Sequence, residues 1–163
     1  MTADRQPADP APRGSESDGR SVEPNGAGSL DPVVAARIDD WVSTHEGELI
    51  AFRRRLHAEP ELSFAEVSTT DAVMERLNVD GLAPRRLESG TGLSVEIGSE
   101  GPVVALRAEL STLAMDDVKE VPYRSRNPGV AHACGHDVHT TVVLGAGLVL
   151  SRLAREGLLP GRV

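Results

Sequence analysis

The stretch AHACGHDVHTTVVLGAG, residues 131–147, places the only cysteine of the chain beside three of its five histidines. An apolar run that continues to Leu153 follows these donor groups directly. The apolar run predicts a mostly buried helix, and Gly157 and Pro160 are typical of residues that follow a helix end. The sequence therefore predicts a turn rich in metal-binding side chains at the start of a buried helix.

Upstream of this stretch, the sequence predicts two helices and two short strands. Asp31 followed by Pro32 is typical of a helix start, because aspartate caps the first turn and proline fits the first helical position. The predicted elements are helices at 33–57 and 63–77, strands at 93–97, 103–107 and 161–163, and an irregular segment at 116–127. This order predicts an α/β fold in which helices flank a mixed sheet.

The first part of the chain has the composition of a disordered tail. Residues 1–32 hold five of the eleven prolines and few large apolar residues, so they bury too little apolar surface to offset the entropy of ordering. Residues 33–163 are expected to form the folded part. The tail lacks the apolar segment of a secretory signal, and no run reaches the ~18 apolar residues of a membrane span. We expect a cytoplasmic protein that does not bind membranes.

Charge and cysteine content exclude several classes of protein. A net charge of −8 argues against a general nucleic-acid binder, which needs clustered lysines and arginines against phosphates. Arg53, Arg54 and Arg55 form a local basic cluster that we interpret as a solvated helix face, with a phosphate site as the alternative. The single cysteine rules out an intrachain disulfide and fits a reducing compartment.

Cys134 and His136 are the strongest candidates for metal ligands by spacing alone. At a strand-to-helix turn, residues one position apart can point into one small space, where a thiolate and an imidazole suit Zn²⁺ and an added carboxylate favours Mn²⁺ or Co²⁺. If the helix starts at Asp137, His139 shares a face with His136. Three alternatives stay open: an inert buried cysteine, a structural zinc site, and a cysteine nucleophile activated by histidine.

Three separate motifs give the chain a family resemblance: FRRRLHAEPELSFAE at 52–66, VVALRAELSTLAM at 103–115 and PGVAHACGHDVHTTVVLGAG at 128–147. Together they resemble the M20 metallopeptidase family, and within it the amidohydrolase branch of N-acyl-amino-acid, hippurate and auxin-conjugate hydrolases. The resemblance implies an α/β catalytic domain with a two-metal site and a smaller inserted domain that mediates dimerisation. It further implies hydrolysis of the amide between an acyl group and an amino acid.

The resemblance also implies roles for individual residues. Cys134 and His136 match two metal ligands of the family motif, whose complete site holds two divalent ions, Zn²⁺ or Mn²⁺. Asp137 would support these ligands, and His139 would be a ligand or a hydrogen-bonding neighbour of one. His57 either takes part in the site or packs at a helix end.

Two departures from the family pattern bear on activity. Where the family has D-x-D-A-L-P, this chain has Glu109, Ser111 and Ala114. Glu109 keeps a carboxylate but has a longer side chain, and Ala114 replaces a proline that stiffens the loop. Ser111 replaces an aspartate that supports the metal site, and loss of such a residue typically costs ~10–100-fold in affinity or activity. Glu109 and Ser111 are nevertheless candidate neighbours of the metal ligands. The glutamate that acts as general base is expected beyond Val163.

These features lead to one hypothesis and two alternatives. We predict the N-terminal part of a metal-dependent amidohydrolase that cleaves N-acyl amino acids or related small-molecule conjugates, is inactive alone, and dimerises only as a complete chain. The first alternative is a non-catalytic metal-binding or partner-dependent module derived from that family. The second is a small single-metal or thiol-dependent protein.

Overall fold

The computed structural model describes residues 30–163 and contains three helices and a two-stranded sheet within that range. The helices are α1, Pro32–Ala58; α2, Val67–Val79; and α3, His136–Arg155; the strands are β1, Arg85–Arg86, and β2, Leu93–Ser94. Helices combined with a sheet confirm the predicted α/β class. Of the tail predicted at 1–32, residues 1–29 lie outside the described residues, and Pro32 already belongs to α1. No helix within 30–163 is long and apolar enough to cross a membrane.

Helix α1 starts where the sequence predicts. The Asp31 carboxylate accepts a hydrogen bond of 2.7 Å from the Val33 N–H, and Pro32 occupies the first helical position. The helix continues for 27 residues to Ala58. Its last turn is buried at Leu56 and His57, so the end of α1 directs a histidine into the interior.

Helix α2 starts four residues later than the predicted Ser63. Phe64, which lies within the predicted helix, has a φ of 63° and is 88% exposed, so the chain cannot be helical there. Glu61 supplies the cap instead, since its carboxylate accepts hydrogen bonds from the N–H groups of Ser68 and Thr69, at 3.0 and 2.7 Å. The start of α2 therefore depends on a residue six positions before its first turn.

The Glu61→Ala substitution is expected to lower the free energy of unfolding by about 1–2 kcal/mol, because two N–H groups in the first turn of α2 lose their acceptor. Burial alone would raise the pKa of Glu61, but hydrogen bonds from Thr69 and Ser68 hold it below its ordinary value, so the carboxylate is the form that stabilises α2. The urea midpoint, followed by the fluorescence of the single tryptophan, Trp41, measures the change.

The control for this prediction is Glu75→Ala, which removes the same charge from an exposed position in the middle of α2. The Glu75 variant should retain its midpoint within experimental error. Equal losses in both variants would show that net charge, and not the cap, stabilises the helix.

Within residues 30–163, the predicted strands at 93–97 and 103–107 do not pair with each other, but each forms backbone hydrogen bonds with the third predicted strand, at 161–163. Strands β1 and β2 are antiparallel. Ile97 exchanges two backbone hydrogen bonds, of 2.8 and 2.9 Å, with Val163, and Val103 forms a parallel bridge with Arg162. The described sheet is therefore small and antiparallel, the parallel contact is an isolated bridge, and residues 162–163 join the two segments.

The core lies where α3 packs against α1 and α2. Its buried members are Trp41, Val73, Leu77, Leu144, Leu148 and Val149. Burial of side chains of this size contributes ~1.5–3 kcal/mol each. Gly145 permits the close approach of α3 to α1, since a Cβ there would lie 3.2 Å from Leu49 Cδ1. This packing fixes the position of the first turn of α3, where the candidate metal ligands lie.

Candidate metal centre

The turn into α3 brings two histidines onto one face of the helix. Gly135 is the N-cap residue and has a φ of 76°, a left-handed conformation that glycine adopts without steric cost. The helix then begins at His136, one residue before the start considered from the sequence. The rings of His136 and His139 lie 5.8 Å apart between centroids, as expected for residues three apart on a helix.

Glu109 completes a group of three possible metal ligands. One ligand atom each from Glu109, His136 and His139 lies within 4.8 Å of the other two. Glu109 and His139 are exposed and His136 is half-buried, so the group faces solvent on one side. Two imidazoles and one carboxylate form a donor set that suits Zn²⁺, Mn²⁺ or Co²⁺. The residues present therefore fit a divalent metal.

Two hydrogen bonds attach the 109–111 segment to the first turn of α3. The Thr140 hydroxyl donates to the Glu109 carbonyl at 3.0 Å, and His136 Nδ1–H donates to the Ser111 carbonyl at 2.7 Å. Since Nδ1 carries the proton in this contact, Nε2 of His136 is left free as a ligand atom. The Ser111 hydroxyl lies 3.5 Å from the same nitrogen, so it is the backbone of residue 111 that orients the histidine.

Cys134 has a different environment from His136. The cysteine is exposed and free, and it does not belong to the three-residue group within residues 30–163. The alternative of an inert buried cysteine is therefore wrong. The resemblance pairs Cys134 with His136 as ligands, whereas the described geometry brings Glu109 and His139 to His136.

Asp137 points away from this group and into a buried network. Its carboxylate is fully buried, and Oδ2 lies 2.6 Å from Nδ1 of His57 and 2.7 Å from Nε of Arg53. On the other side of the ring, Nε2 of His57 lies 3.4 Å from the Asp117 carboxylate. The network thus ties the first turn of α3 to the last turns of α1 and to the irregular segment around Asp117.

The Asp117 carboxylate remains ionised to low pH. Burial alone would raise its pKa, but hydrogen bonds from the N–H groups of Ser125 and Lys119, together with the Lys119 ammonium, hold the pKa well below its usual range. The Asp117 and Asp137 carboxylates thus flank the buried His57 ring, one beside each ring nitrogen.

His132 lies beside this network without a hydrogen bond. Its side chain is fully buried, and neither ring nitrogen has a hydrogen-bond partner among residues 30–163. Burial lowers the pKa of His132 to about 4; the Asp137 carboxylate, with Oδ1 4.0 Å from Nδ1, opposes the shift, while His57, His136 and Arg53 add to it. His132 is consequently a neutral, buried imidazole near neutral pH.

The arginine cluster is only partly a solvated face. Arg54 and Arg55 are exposed as predicted, but Arg53 is half-buried and reaches Asp137. The guanidinium groups of Arg53 and Arg54 also lie 5.2 and 5.0 Å from the centre of the Tyr123 ring. The contacts of Arg53 with Asp137 were missed from the sequence, although its spacing of four residues from His57 places both on one face of α1.

Comparisons with known proteins agree on a family. Residues 105–163 match the model of Peptidase family M20/M25/M40. N-acetyl-L-cysteine deacetylase of Bacillus subtilis is 42% identical over 124 residues, which are 75% of this chain and 29% of that protein. The crystal structure of the Bacillus subtilis YXEP protein, described as a dinuclear metal binding peptidase from the M20 family, superposes with a TM-score of 0.69 at 35% identity over 74% of this chain and 34% of that chain.

A further relative has a different name. The protein called "Putative glutamate--cysteine ligase 2-3" from Rhodococcus jostii is 48% identical over 108 residues, 66% of this chain. The alignment covers only 14% of that protein, so the name describes a much longer polypeptide than the aligned stretch. The chain spans less than a third of the length of either of these two curated relatives.

Proposed function

The matched part of this chain belongs to peptidase family M20/M25/M40, and from that premise we propose that the chain is the N-terminal part of a metal-dependent amidohydrolase. Its substrates would be N-acyl amino acids or related small-molecule conjugates, a class to which N-acetyl-L-cysteine, the compound in the name of the Bacillus relative, belongs. The observation that carries the proposal is the oriented His136 ring at the start of α3, with Nε2 left free.

The residues of this chain would bind and position, while the metal supplies the chemistry. When bound, divalent ions, Zn²⁺ or Mn²⁺, polarise the amide carbonyl and lower the pKa of a water molecule. By resemblance, His136 and Cys134 would be ligands in the complete two-metal site. Asp137 would support His136, because its contacts with Arg53 and His57 hold the first turn of α3 in place. We place the general base beyond Val163 and expect the 163-residue chain alone to be inactive.

A chimaera tests this proposal. Residues 30–163 would replace the aligned segment of the Bacillus subtilis N-acetyl-L-cysteine deacetylase, and release of free amine from N-acetyl-L-cysteine would be measured with Mn²⁺ or Zn²⁺ present. We expect turnover by the chimaera and none by the 163-residue chain. His136→Ala should lower the turnover of the chimaera by about 100-fold or more, since loss even of a residue that supports a ligand costs 10–100-fold. A folded, metal-loaded chimaera without activity would contradict the proposal.

One observation favours a second candidate function, a non-catalytic metal-binding or partner-dependent module. Glu109, His136 and His139 all lie within this chain, so three possible metal ligands are available without a residue from elsewhere. Metal binding by the chain together with an inactive chimaera would support this module.

For the complete protein we propose a cytoplasmic homodimer. Size-exclusion chromatography with light scattering would test the dimeric state.

A further inference from the structure

We propose that two copies of this chain pair along residues 103–110, the edge segment, as antiparallel strands with a two-fold axis at Ala108. The sequence predicts dimerisation only for a complete chain, whereas the edge segment gives the 163-residue chain a contact surface of its own. This pairing goes beyond the proposed function, because it requires neither a bound metal nor amide hydrolysis.

The backbone of the edge segment is largely unpaired. Near its start, the Val104 N–H donates to the Arg162 carbonyl at 2.9 Å, and just beyond its end Thr112 forms an isolated bridge. Within residues 30–163, no backbone–backbone hydrogen bond involves residues 105–111. The unpaired N–H and C=O groups of an edge strand are a template for pairing with another chain.

The edge segment is also apolar and accessible. Val103, Val104 and Leu106 are 62, 60 and 47% exposed, although valine and leucine are usually buried. Beside them lies a groove of about 560 Å³, which Val143 and Leu144 of α3 help to line. Contiguous exposed apolar surface of this kind marks an interaction site.

The existing bond of Val104 determines which backbone groups face the free side. In an extended strand, the N–H and C=O groups of successive residues point alternately to the two neighbouring strands. Since the Val104 N–H faces Arg162, an extended edge segment directs the N–H and C=O groups of Ala105, Arg107 and Glu109 to the opposite side. Those are the groups that a second copy would meet.

Charge complementarity selects a second copy as the partner and sets the register. With the axis at Ala108, Arg107 of each copy lies directly opposite Glu109 of the other. Within one chain, Arg107 Nη2 lies 2.8 Å from Glu109 Oε1, and both side chains are exposed, so the two charges are available to a partner. An axis at Arg107 would instead place two arginines opposite each other, and like charges in that position are destabilising.

Backbone geometry agrees with this register. Each pair of Arg107 with Glu109 becomes a hydrogen-bonded pair, in which both N–H groups find acceptors. The Glu109 carbonyl already accepts a bond of 3.0 Å from the Thr140 hydroxyl, but a carbonyl oxygen has a second lone pair. Ala108 forms the non-hydrogen-bonded pair at the axis, where the small side chain permits close approach. Because the contact is isologous, pairing closes at a dimer.

The first experiment measures the mass of the 163-residue chain by sedimentation equilibrium, with EDTA present to exclude dimers bridged by metal. We expect a dimer that dissociates in the micromolar range. Arg107→Glu and Glu109→Arg should each weaken dimerisation by about tenfold or more, since each places like charges opposite one another. An equimolar mixture of the two variants should form a mixed dimer as tight as the parent, a rescue that misfolding cannot produce.

The control for the charge variants is Arg124→Glu, which reverses the same charge at an exposed position outside the edge segment. This variant should dimerise as the parent does. The fold of each variant is checked by urea unfolding followed by Trp41 fluorescence.

The second experiment tests the register by cross-linking in a Cys134→Ser background, which removes the exposed native thiol. Ala108→Cys should form a disulfide between the two copies under mild oxidation, because Cα atoms about 4.5 Å apart lie within the range of a disulfide. Ala105→Cys is the matched control. Its two copies lie roughly 20 Å apart along the paired strands, so it should not cross-link.

Several outcomes would overturn the proposal. A chain that stays monomeric at millimolar concentration would leave the edge segment to a strand of another polypeptide. A mixture of the charge variants without mixed dimers, or cross-linking through position 105 and not 108, would refute the register, and open-ended aggregates would refute the two-fold axis. None of these results depends on turnover by the chimaera, so failure of this contact and failure of the proposed function are separate results.

Discussion

Replacing Asp137 with alanine is expected to lower the free energy of unfolding by about 3–5 kcal/mol. The fully buried carboxylate is the shared anionic partner of His57 and Arg53, which lie 2.6 and 2.7 Å away. Without it, the Arg53 guanidinium faces the interior without a counter-charge, and the amino end of α3 loses its one acidic side chain. Breaking a buried pair by removing one partner costs more than the intact pair contributes.

The urea midpoint of Asp137→Ala, followed by Trp41 fluorescence, measures this loss. Asp39→Ala is the matched control, because Asp39 is exposed on α1 and forms no ion pair within residues 30–163. That control should change the free energy of unfolding by less than about 0.5 kcal/mol. Asp137→Asn should fall between the two, since an amide oxygen can still accept a hydrogen bond from His57 Nδ1. A loss in Asp137→Ala no larger than in the control would show that the network does not stabilise the fold.

The helices show what local sequence can predict. The start of α1 was predictable because its cap, Asp31, precedes the helix directly, and α3 was predictable because a long apolar run ends at glycine and proline. The start of α2 was not, because its cap comes from Glu61, with a non-helical Phe64 between them. The cause is geometric: a side chain several residues upstream reaches the first turn only once the chain has folded back.

The pairing partners of the strands could not be predicted from the sequence for a related reason. Residues 93–97 and 103–107 have strand-like composition, but composition does not specify a partner. Leu93 and Ser94 pair with the nearby β1, whereas Ile97 and Val104 are hydrogen-bonded to residues 162–163, some sixty positions away. The pairing depends on α3, which returns the chain to this edge. Periodicity thus predicts an element more reliably than it predicts the neighbour of that element.

The candidate site was partly readable from sequence. Adjacency in the motif identified His136, and i, i+3 spacing identified His139 as its neighbour on the helix. The motif could not show that Asp137 faces the interior while the two histidines face the 109–111 segment. That separation follows from helical geometry, because residues one apart on a helix point in directions about 100° apart. Glu109 joined the group through its contact with Thr140, which is 31 residues distant in sequence.

Acidification from pH 7.5 to 5 is expected to lower the free energy of unfolding of the metal-free chain by about 2 kcal/mol through His132 alone. Burial lowers the pKa of this imidazole from 6.5 to about 4. Between these two values the unfolded chain binds a proton that the folded chain does not, so stability falls as the pH falls through this window. Below about pH 4 both states are protonated, and His132 adds no further slope. Glu61 and Asp117, whose pKa values are also lowered, act in the same direction but at more acidic pH.

His132→Leu isolates this contribution. In the described part of the chain both ring nitrogens lack hydrogen-bond partners, so an apolar side chain of similar size loses no bond there and removes a group that is costly to bury. The variant should match or exceed the parent in stability at pH 7.5 and exceed it by about 2 kcal/mol at pH 5, measured by urea unfolding with EDTA present. His139→Ala, which removes an exposed histidine, should keep the pH dependence of the parent. If His132→Leu loses as much stability as the parent between pH 7.5 and pH 5, a group other than His132 must bind the proton. Burial of His132 would then not be the cause of the acid sensitivity.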